Sequence, residues 1–236
     1  MTPGKVYLIP NIIAEGTQEH VIPAQVRSVL PGIKHFLAED IRTARRYFSS
    51  LKLFPSIEHL QFEVLNKDTD AGNMRALLAP VFNGSDVGIV SEAGCPGIAD
   101  PGSLAVKFAH DHGIRVIPLV GPSSILLALM ASGLNGQRFS FHGYLPIDKH
   151  DFTKTVRELE KESRKHNQTQ MFIETPYRTD QTLISLLQVL RDDTLLNVSW
   201  NLTSENEFSF TAPIGRWKSD KRKAGKVPAV FSFLAL

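Results

Sequence analysis

A long loop rich in glycine and proline is the part of this sequence best suited to bind a ligand. Residues 90–102 read VSEAGCPGIADPG, and they follow a predicted strand and precede a predicted helix. Three glycines let the backbone approach a ligand closely, and two prolines restrict the loop before binding. A tight crossover would not need thirteen residues of this composition, so we interpret the segment as a binding loop.

A second loop, with the sequence LVGPSS at residues 119–124, also joins a predicted strand to a predicted helix. The hydroxyls of Ser123 and Ser124 could cap that helix or bind a ligand at its N-terminus, and the sequence leaves both possibilities open. No G-x-G-x-x-G pattern follows the first strand, and no Walker lysine motif occurs. The sequence therefore argues against a classical dinucleotide site and against a P-loop.

These loops must be positioned by elements that alternate along the chain as short β-rich runs and longer helical patterns. Such an order predicts two α/β domains, of which the first has a parallel sheet. We place the boundary after residue 119, which gives domains 1–119 and 120–236. Strands are predicted at 5–10, 35–38, 86–91, 115–119, 139–144, 170–174, 195–200, 207–211 and 227–236, and helices at 21–30, 74–81, 104–109, 123–132, 152–165 and 179–190.

Composition excludes several classes of protein. The 236 residues are 42% hydrophobic, with a net charge of +2 that is too small to identify a nucleic-acid binder by itself. The single cysteine, Cys95, excludes an intramolecular disulfide and a multi-cysteine zinc site. The N-terminus lacks the features of a signal peptide, and no run approaches the roughly 20 apolar residues of a membrane-spanning helix. We therefore expect a cytoplasmic protein.

Five motifs stand in an order that resembles one known family. They are AEDIR at 38–42, the loop at 90–102, GPSS at 121–124, FHGYLP at 141–146 and ETPYR at 174–178. Together they resemble the tetrapyrrole (corrin/porphyrin) methylase superfamily, and within it the branch that methylates a ribose 2′-hydroxyl of small-subunit ribosomal RNA. The resemblance implies a parallel sheet in the first domain, a mixed sheet in the second, a homodimer, and S-adenosylmethionine in a cleft between the domains.

The resemblance also implies which residues contact that cofactor. In the first domain and at the start of the second they are Pro10, Ala93, Gly94, Cys95, Pro96, Ile98, Ser123 and Ser124. Further along the second domain they are Tyr144, Leu145, Glu174, Thr175, Pro176 and Thr203.

Methyl transfer needs an aligned acceptor and a group that accepts its proton, but no nucleophilic side chain. For a ribose hydroxyl, Glu39, Asp40 or Glu92 could accept the proton, and Arg42 could hold a phosphate through its bidentate guanidinium. Glu39 and Asp40 could equally cap the helix that begins near Ile41. We interpret Cys95 as structural or cofactor-lining, and no histidine spacing indicates a metal.

The chain departs from the RNA-methylating branch at two places. That branch has Thr-Pro-Ile-Gly-Asn-Leu after its first strand, where residues 9–14 here read IPNIIA, and Arg-Glu-Leu-Thr-Lys where residues 200–204 read WNLTS. These departures leave two alternatives to an RNA methyltransferase. The first is a methyltransferase acting on a small molecule such as a tetrapyrrole, and the second is a cofactor-binding protein that has lost catalysis.

Two clusters of basic residues could meet the phosphates of RNA. Arg42, Arg45 and Arg46 share one face of a predicted helix. A second cluster near the C-terminus comprises Lys218, Lys221, Arg222, Lys223 and Lys226. A solvated surface is the common role of such clusters, so the sequence leaves RNA contact and simple solvation as equal alternatives.

Overall fold

Each half of the chain folds around one β-sheet in a computed structural model, which describes residues 2–236. The chain forms two compact units, Met1–Ser123 and Ser124–Leu236. The expectation of two α/β units, with a parallel and a mixed sheet, is confirmed. The boundary that we placed after residue 119 stays a prediction.

The sheet of the first unit has five strands in the order β3-β2-β4-β1-β5, and every adjacent pair is parallel. The strands are β1 (Val6–Ile9), β2 (His35–Ala38), β3 (Gln61–Val64), β4 (Val87–Val90) and β5 (Val116–Pro118). All four residues of the central strand β4 are buried, as expected for a parallel strand covered on both faces. Sequence patterns missed β3, because this edge strand is largely exposed and half polar.

Helices cover this sheet, and prolines divide two of them. The helices are α1 (Gln18–Val21), α2 (Ala24–Val29), α3 (Ile41–Leu51), α4 (Met74–Leu77), α5 (Ala79–Phe82) and α6 (Gly102–Asp111). The helix predicted at 21–30 is shorter in the structure, where α2 begins at Ala24, and the helix predicted at 74–81 is divided into α4 and α5. Pro23 and Pro80 lie at these breaks, and proline can neither donate a helical hydrogen bond nor avoid a clash with the preceding turn.

The core of the first unit lies on both faces of the sheet, because neighbouring residues of a strand point to opposite sides. On β2, Phe36 packs into one cluster and Leu37 into the other. Helix α3 contributes Ala44, Tyr47, Phe48 and Leu51, which recur at helical spacing. The rings of Phe36 and Phe48 meet edge to face with their centroids 4.6 Å apart, and this contact holds α3 against the sheet.

The sheet of the second unit is mixed. Its strands are β6 (Phe139–Tyr144), β7 (Thr169–Glu174), β8 (Leu195–Trp200), β9 (Phe208–Pro213) and β10 (Ala229–Leu234), in the order β6-β7-β10-β8-β9. β6 and β7 are parallel and the other pairs are antiparallel, so β6, β7 and β8 all run in one direction. The helices of this unit are α7 (Ser124–Ser132), α8 (Lys149–His166), α9 (Thr179–Val189) and α10 (Ile214–Trp217). Within residues 2–236, no helix has the length and apolar character to cross a membrane.

A buried carboxylate joins α8 to the chain that follows α9. Glu160 accepts hydrogen bonds from the backbone N–H of Arg191 and from the hydroxyl of Thr194, and Thr194 is fully buried. Because a buried donor without an acceptor is costly, this carboxylate fixes the segment between α9 and β8.

We predict that Glu160→Leu lowers the free energy of unfolding by about 1–3 kcal/mol, because it leaves two donors without an acceptor. The matched control is Glu158→Leu, which changes an exposed residue of the same helix and should shift stability by less than about 0.5 kcal/mol. Urea unfolding monitored by circular dichroism would measure both. Equal effects of the two variants would contradict the role assigned to Glu160.

Candidate functional site

Parallel pairing gathers the ends of several strands of the first unit at one edge of its sheet. β1 lies between β4 and β5, so the segments that follow these three strands begin side by side. The loops after β1 and β4 also leave in opposite directions, toward β2 and β5 respectively. Ligands of open α/β sheets bind at such an edge, where neighbouring strands lead to opposite sides.

Asn11 joins the loop after β1 to the loop after β4. Its backbone N–H donates to the carbonyl of Gly94 at 2.8 Å, and the N–H of Gly94 donates back at 3.2 Å. Its side-chain amide donates to the carbonyls of Ser91 and Glu92, each at 3.0 Å. Asn11 is only 2% exposed, and these bonds satisfy it while fixing the start of the 90–102 loop.

Close backbone packing brings the third loop to the same place. A side chain on Gly121 would put its Cβ 2.0 Å from Cβ of Pro10, so only glycine fits there. The phenol of Tyr47 donates to the carbonyl of Pro10 at 2.8 Å, which fixes the loop after β1 from the side of α3. Pro10, which we predicted to contact a ligand, therefore packs against the third loop and is held in place by Tyr47.

The 90–102 loop is held in shape by its own residues. Oδ1 of Asp100 accepts from the N–H of Gly97 at 2.8 Å and from the N–H of Gly102 at 2.6 Å. Gly94 and Gly97 have φ values of 71° and 80°, which side chains disfavour. Of the other predicted contact residues here, Ala93 and Ile98 are exposed and Pro96 is buried.

Cys95 does not have the environment of a reactive thiolate. Its thiol donates to the carbonyl of Pro122 at 3.3 Å, and burial raises the pKa of Cys95 above its usual value. A protonated thiol is a poor nucleophile, so the structure agrees with a structural or ligand-lining role.

Of three carboxylates at this edge, two affect the pKa of the third. Glu39 directly follows β2, Glu92 follows β4, and Asp100 lies in the same loop as Glu92. Partial burial, with the negative charges of Glu92 and Asp100, raises the pKa of Glu39 above its usual value, and Lys67 opposes this only in part. Glu39 therefore binds a proton more readily than an ordinary glutamate.

Asp40 and Arg42 have different surroundings from Glu39. Asp40 caps α3, since its Oδ1 accepts from the N–H of Thr43 at 2.6 Å. Hydrogen bonding with the side chain of Thr43, and then with its backbone N–H, lowers the pKa of Asp40. Arg42 is exposed on α3 together with Arg45 and Arg46. Of the two roles that we left open, capping is the one that the structure shows for Asp40.

In the second unit, the predicted contact residues also follow strands at a common edge, because β6, β7 and β8 run in one direction. Tyr144 and Leu145 follow from β6, Glu174 to Pro176 from β7, and Thr203 from β8. Ser124 begins α7, and Ser123, the last residue of the first unit, directly precedes it. Each unit thus brings its own set of predicted residues to one edge of its sheet.

Glu174 is buried and fully occupied by its own neighbours. It accepts from the N–H of Thr175 at 2.8 Å and from the hydroxyl of Thr182 at 2.9 Å, and Arg178 pairs with it at 3.2 Å. Glu174 therefore fixes the turn between β7 and α9. Its prediction as a contact residue stays a prediction.

Thr203 has two features typical of ligand sites. Its φ is 76°, a value that is rare for threonine, and its N–H donates to Glu207 at 2.6 Å. Its hydroxyl is buried and finds no hydrogen-bond partner among the described residues. His142, in contrast, is half-buried, and its Nε2 is hydrogen-bonded to Oε1 of Gln170 at 2.7 Å.

A cavity of about 280 Å³ lies in the second unit between α8 and α9. Its lining includes Phe152, Arg178, Thr182 and Val189, but none of the predicted site residues. The candidate site at the strand ends therefore does not coincide with this cavity.

Sequence reasoning missed Asn11, Asp100 and Gly121 as residues of this site. Asn11 stood only as a departure from the family motif. The position of Asp100 before Pro101-Gly102 was the available signal, since aspartate often accepts hydrogen bonds from the backbone of such turns. The contacts of Asn11 and Gly121 join residues far apart in the chain, and no local pattern reveals them.

We predict that Glu92→Gln lowers the pKa of Glu39, because it removes one negative charge that opposes ionisation. A pKa raised in the folded state gives stability that is fully present below the unfolded pKa and is lost as pH rises through the folded pKa, so the variant also reduces that loss. Carboxyl NMR titration would measure the change. Asp111→Asn, an exposed carboxyl on α6, is the control, and an equal response to both variants would contradict the coupling.

No protein-family model matches the chain. Curated relatives match over most of it and carry the name ribosomal RNA small subunit methyltransferase I. The relative from Escherichia coli O157:H7 is 29% identical over 233 residues, which are 95% of this chain and 76% of the relative. The relative from Synechocystis is 35% identical over 204 residues, covering 86% of this chain and 69% of the relative. The relative from Xylella fastidiosa is 30% identical, and the match covers 86% of this chain and 70% of the relative.

Solved structures share the fold. A uroporphyrin-III-C-methyltransferase from Thermus thermophilus matches 98% of this chain and 92% of its own with a TM-score of 0.55 and 17% identity. The methyltransferase CobJ matches 99% of this chain and all of its own with a TM-score of 0.62 and 15% identity. The chain belongs to the ribosomal RNA small subunit methyltransferase I family, and it is a methyltransferase with the two α/β domains of the tetrapyrrole methylases.

Proposed function

We propose that this enzyme transfers the methyl group of S-adenosylmethionine to a ribose 2′-hydroxyl of small-subunit ribosomal RNA. The observation that carries the proposal lies at one edge of the first sheet. Hydrogen bonds fix the glycine-rich loops there, and burial and the negative charges of Glu92 and Asp100 raise the pKa of Glu39. In support, the chain covers more than two thirds of the length of relatives that are named ribosomal RNA small subunit methyltransferase I. The protein is expected to act in the cytoplasm as a homodimer.

The residues at this edge fit a ligand that carries positive charge. S-adenosylmethionine has a sulfonium cation, and Glu39, Glu92 and Asp100 supply the opposite charge in one region. Gly94 and Gly97 leave space at the backbone, so carbonyl and N–H groups can contact a ligand directly. We assign the contacts to Pro10, Ala93, Gly94, Cys95, Pro96, Ile98 and Ser123 in this unit.

For the second unit, the contacts with Ser124, Tyr144, Leu145, Glu174, Thr175, Pro176 and Thr203 remain predictions. Among them, Thr203 has the strongest support, because its buried hydroxyl lacks a partner in the described part of the chain. Glu174 has the weakest, because its own neighbours occupy its oxygens.

When bound, the cofactor supplies a methyl group already activated by the sulfonium. The protein must then hold the ribose hydroxyl in line with the carbon–sulfur bond and take up the hydroxyl proton. A carboxylate of the first unit would accept that proton. We assign that proton to Glu39, because its pKa is raised, whereas hydrogen bonds with the side chain and backbone of Thr43 lower the pKa of Asp40. Glu92 then acts through its charge on Glu39, and Arg42 is placed to hold a phosphate.

We predict that the wild-type protein binds S-adenosylmethionine in calorimetric titration and that Gly94→Trp weakens binding by about tenfold or more. The indole would occupy the space beside the loop, and the backbone would lose its φ of 71°. Gly113→Trp is the matched control, because Gly113 has a φ of 66° and no atom within 4 Å of the Cβ position. Wild-type protein that takes up no cofactor would refute the cofactor assignment.

We predict that the enzyme transfers labelled methyl groups to small ribosomal subunits from cells that lack its gene, and that the product linkage resists alkaline hydrolysis. Glu39→Gln should lower kcat by about 100-fold or more with little change in KM, since it removes the proton acceptor. Asp40→Asn is the comparison, with a smaller effect on kcat. Label on a base would refute the ribose assignment, and label found only on an added porphyrinoid would establish the small-molecule alternative.

A further inference from the structure

The second unit carries an aromatic and basic surface that the proposed chemistry does not use. It consists of Trp200, Phe208 and Phe210 near the β9 edge of the sheet, and of the segment from Lys218 to Lys226 beside them. The rings of Trp200 and Phe208 stack with centroids 3.7 Å apart. All three aromatic residues are only partly buried. We call this the β9 surface.

Arg222 lies over the aromatic residues of the β9 surface. Its guanidinium carbon is 3.9 Å from the ring centre of Phe210 and 5.2 Å from that of Phe208. Nε donates to both oxygens of Asp220, at 2.9 and 2.8 Å, so the carboxylate fixes the plane of the group. The side chain remains 42% exposed. With one face of the guanidinium on Phe210, the exposed part includes the opposite face, which can stack on a further flat group.

Three lysines accompany this arginine without a carboxylate of their own. Lys221, Lys223 and Lys226 are exposed, and none of them forms an ion pair within residues 2–236. Lys218, in contrast, pairs with Asp192 at 2.5 Å. Unpaired ammonium groups close together attract a polyanion, because binding them releases the counterions condensed on it.

The segment is ordered by the protein before any ligand binds. Asp180 accepts from the N–H of Ala224 at 2.8 Å, and the hydroxyl of Thr179 donates to the carbonyl of Val227 at 2.7 Å. At the other end, the indole N–H of Trp217 donates to the carbonyl of Leu196 at 2.8 Å. A ligand would therefore not have to pay for ordering this part of the chain.

We propose that the β9 surface binds a single-stranded segment of RNA, with phosphates on Lys221, Lys223 and Lys226 and one base stacked on Arg222. Single-stranded RNA is recognised by such a combination of cations and flat groups that stack on bases. The inference rests on the proposed function, since RNA is the partner named there, and it adds the surface that holds the strand.

The test uses fluorescence anisotropy of the full chain with a fluorescein-labelled oligouridine RNA of 12 nucleotides at several potassium chloride concentrations. Changing all three lysines, Lys221→Ala, Lys223→Ala and Lys226→Ala, should weaken binding more than tenfold and reduce the salt slope by about two, at about 0.7 for each lost phosphate contact. The matched control changes three exposed lysines of α8, Lys154→Ala, Lys161→Ala and Lys165→Ala, and should stay within twofold of wild type. Equal losses in the two triple variants, or an unchanged slope, would overturn the proposal.

The role of Arg222 is tested by Arg222→Lys, which keeps the charge but removes the flat stacking group. We expect affinity to fall about fivefold or more with the salt slope unchanged, because stacking does not release counterions. Thermal unfolding of the same variant shows whether the segment stays in place. Unchanged affinity, or a loss of affinity only where the variant unfolds, would overturn the stacking role.

These outcomes separate this inference from the proposed function. If the lysine variants lose RNA binding but wild-type enzyme methylates no RNA, the surface stands and the assigned reaction fails. If wild-type enzyme methylates ribosomal RNA and the lysine triple variant binds and methylates it equally well, the reaction stands and the surface fails.

Discussion

The amide of Asn11 is placed to hold two loops together over the carboxyl ends of β1 and β4, strands that the chain separates by about 80 residues. Its two hydrogen bonds to the carbonyls of Ser91 and Glu92 satisfy a side-chain amide that would otherwise be costly to bury. Together with two backbone bonds between Asn11 and Gly94, they fix where the 90–102 loop starts. Asp100 then shapes the loop, and Gly121 allows the third loop to pack on Pro10. The shape of the ligand site therefore follows from backbone bonds, and few side chains need to reach into it.

Two glutamates at the ends of strands show how surroundings decide the role of the same side chain. Glu174 is the last residue of β7. It accepts three hydrogen bonds and pairs with an arginine, so its oxygens have all the partners that a buried carboxylate needs. Glu39 follows β2, where partial burial and then the negative charges of Glu92 and Asp100 raise its pKa. The first arrangement stabilises a turn. The second leaves a carboxylate that gains from a nearby cation or a proton, which is the property that the proposed chemistry uses.

The sequence was sufficient for the architecture and for the central loop, but not for the contacts that hold the loop. Alternation of short apolar runs with helical patterns is a local property, and it predicted two α/β units and the parallel sheet of the first. The mixed sheet of the second unit was implied only by the family resemblance. It failed at β3, which buries little apolar surface, and at Pro23 and Pro80, where the apolar period continues although the helix cannot. Asn11 looked like the loss of a motif because its hydrogen-bond partners lie far along the chain. The raised pKa of Glu39 likewise depends on burial and on charges from distant residues, which no local sequence pattern reveals.

An acidic edge that methylates a polyanion, as we propose for this enzyme, has an electrostatic difficulty. The carboxylates that favour a sulfonium also repel phosphate, so the binding energy for RNA must come from cations elsewhere in the protein. A net charge of +2 does not supply it uniformly, and local clusters must do so. In the second unit, Lys221, Lys223 and Lys226 have no carboxylate partners, whereas Lys218 and Arg222 are paired. The paired cations order the segment and the unpaired ones keep their charge for a ligand, so neutralising the unpaired lysines should affect RNA binding and leave the fold intact.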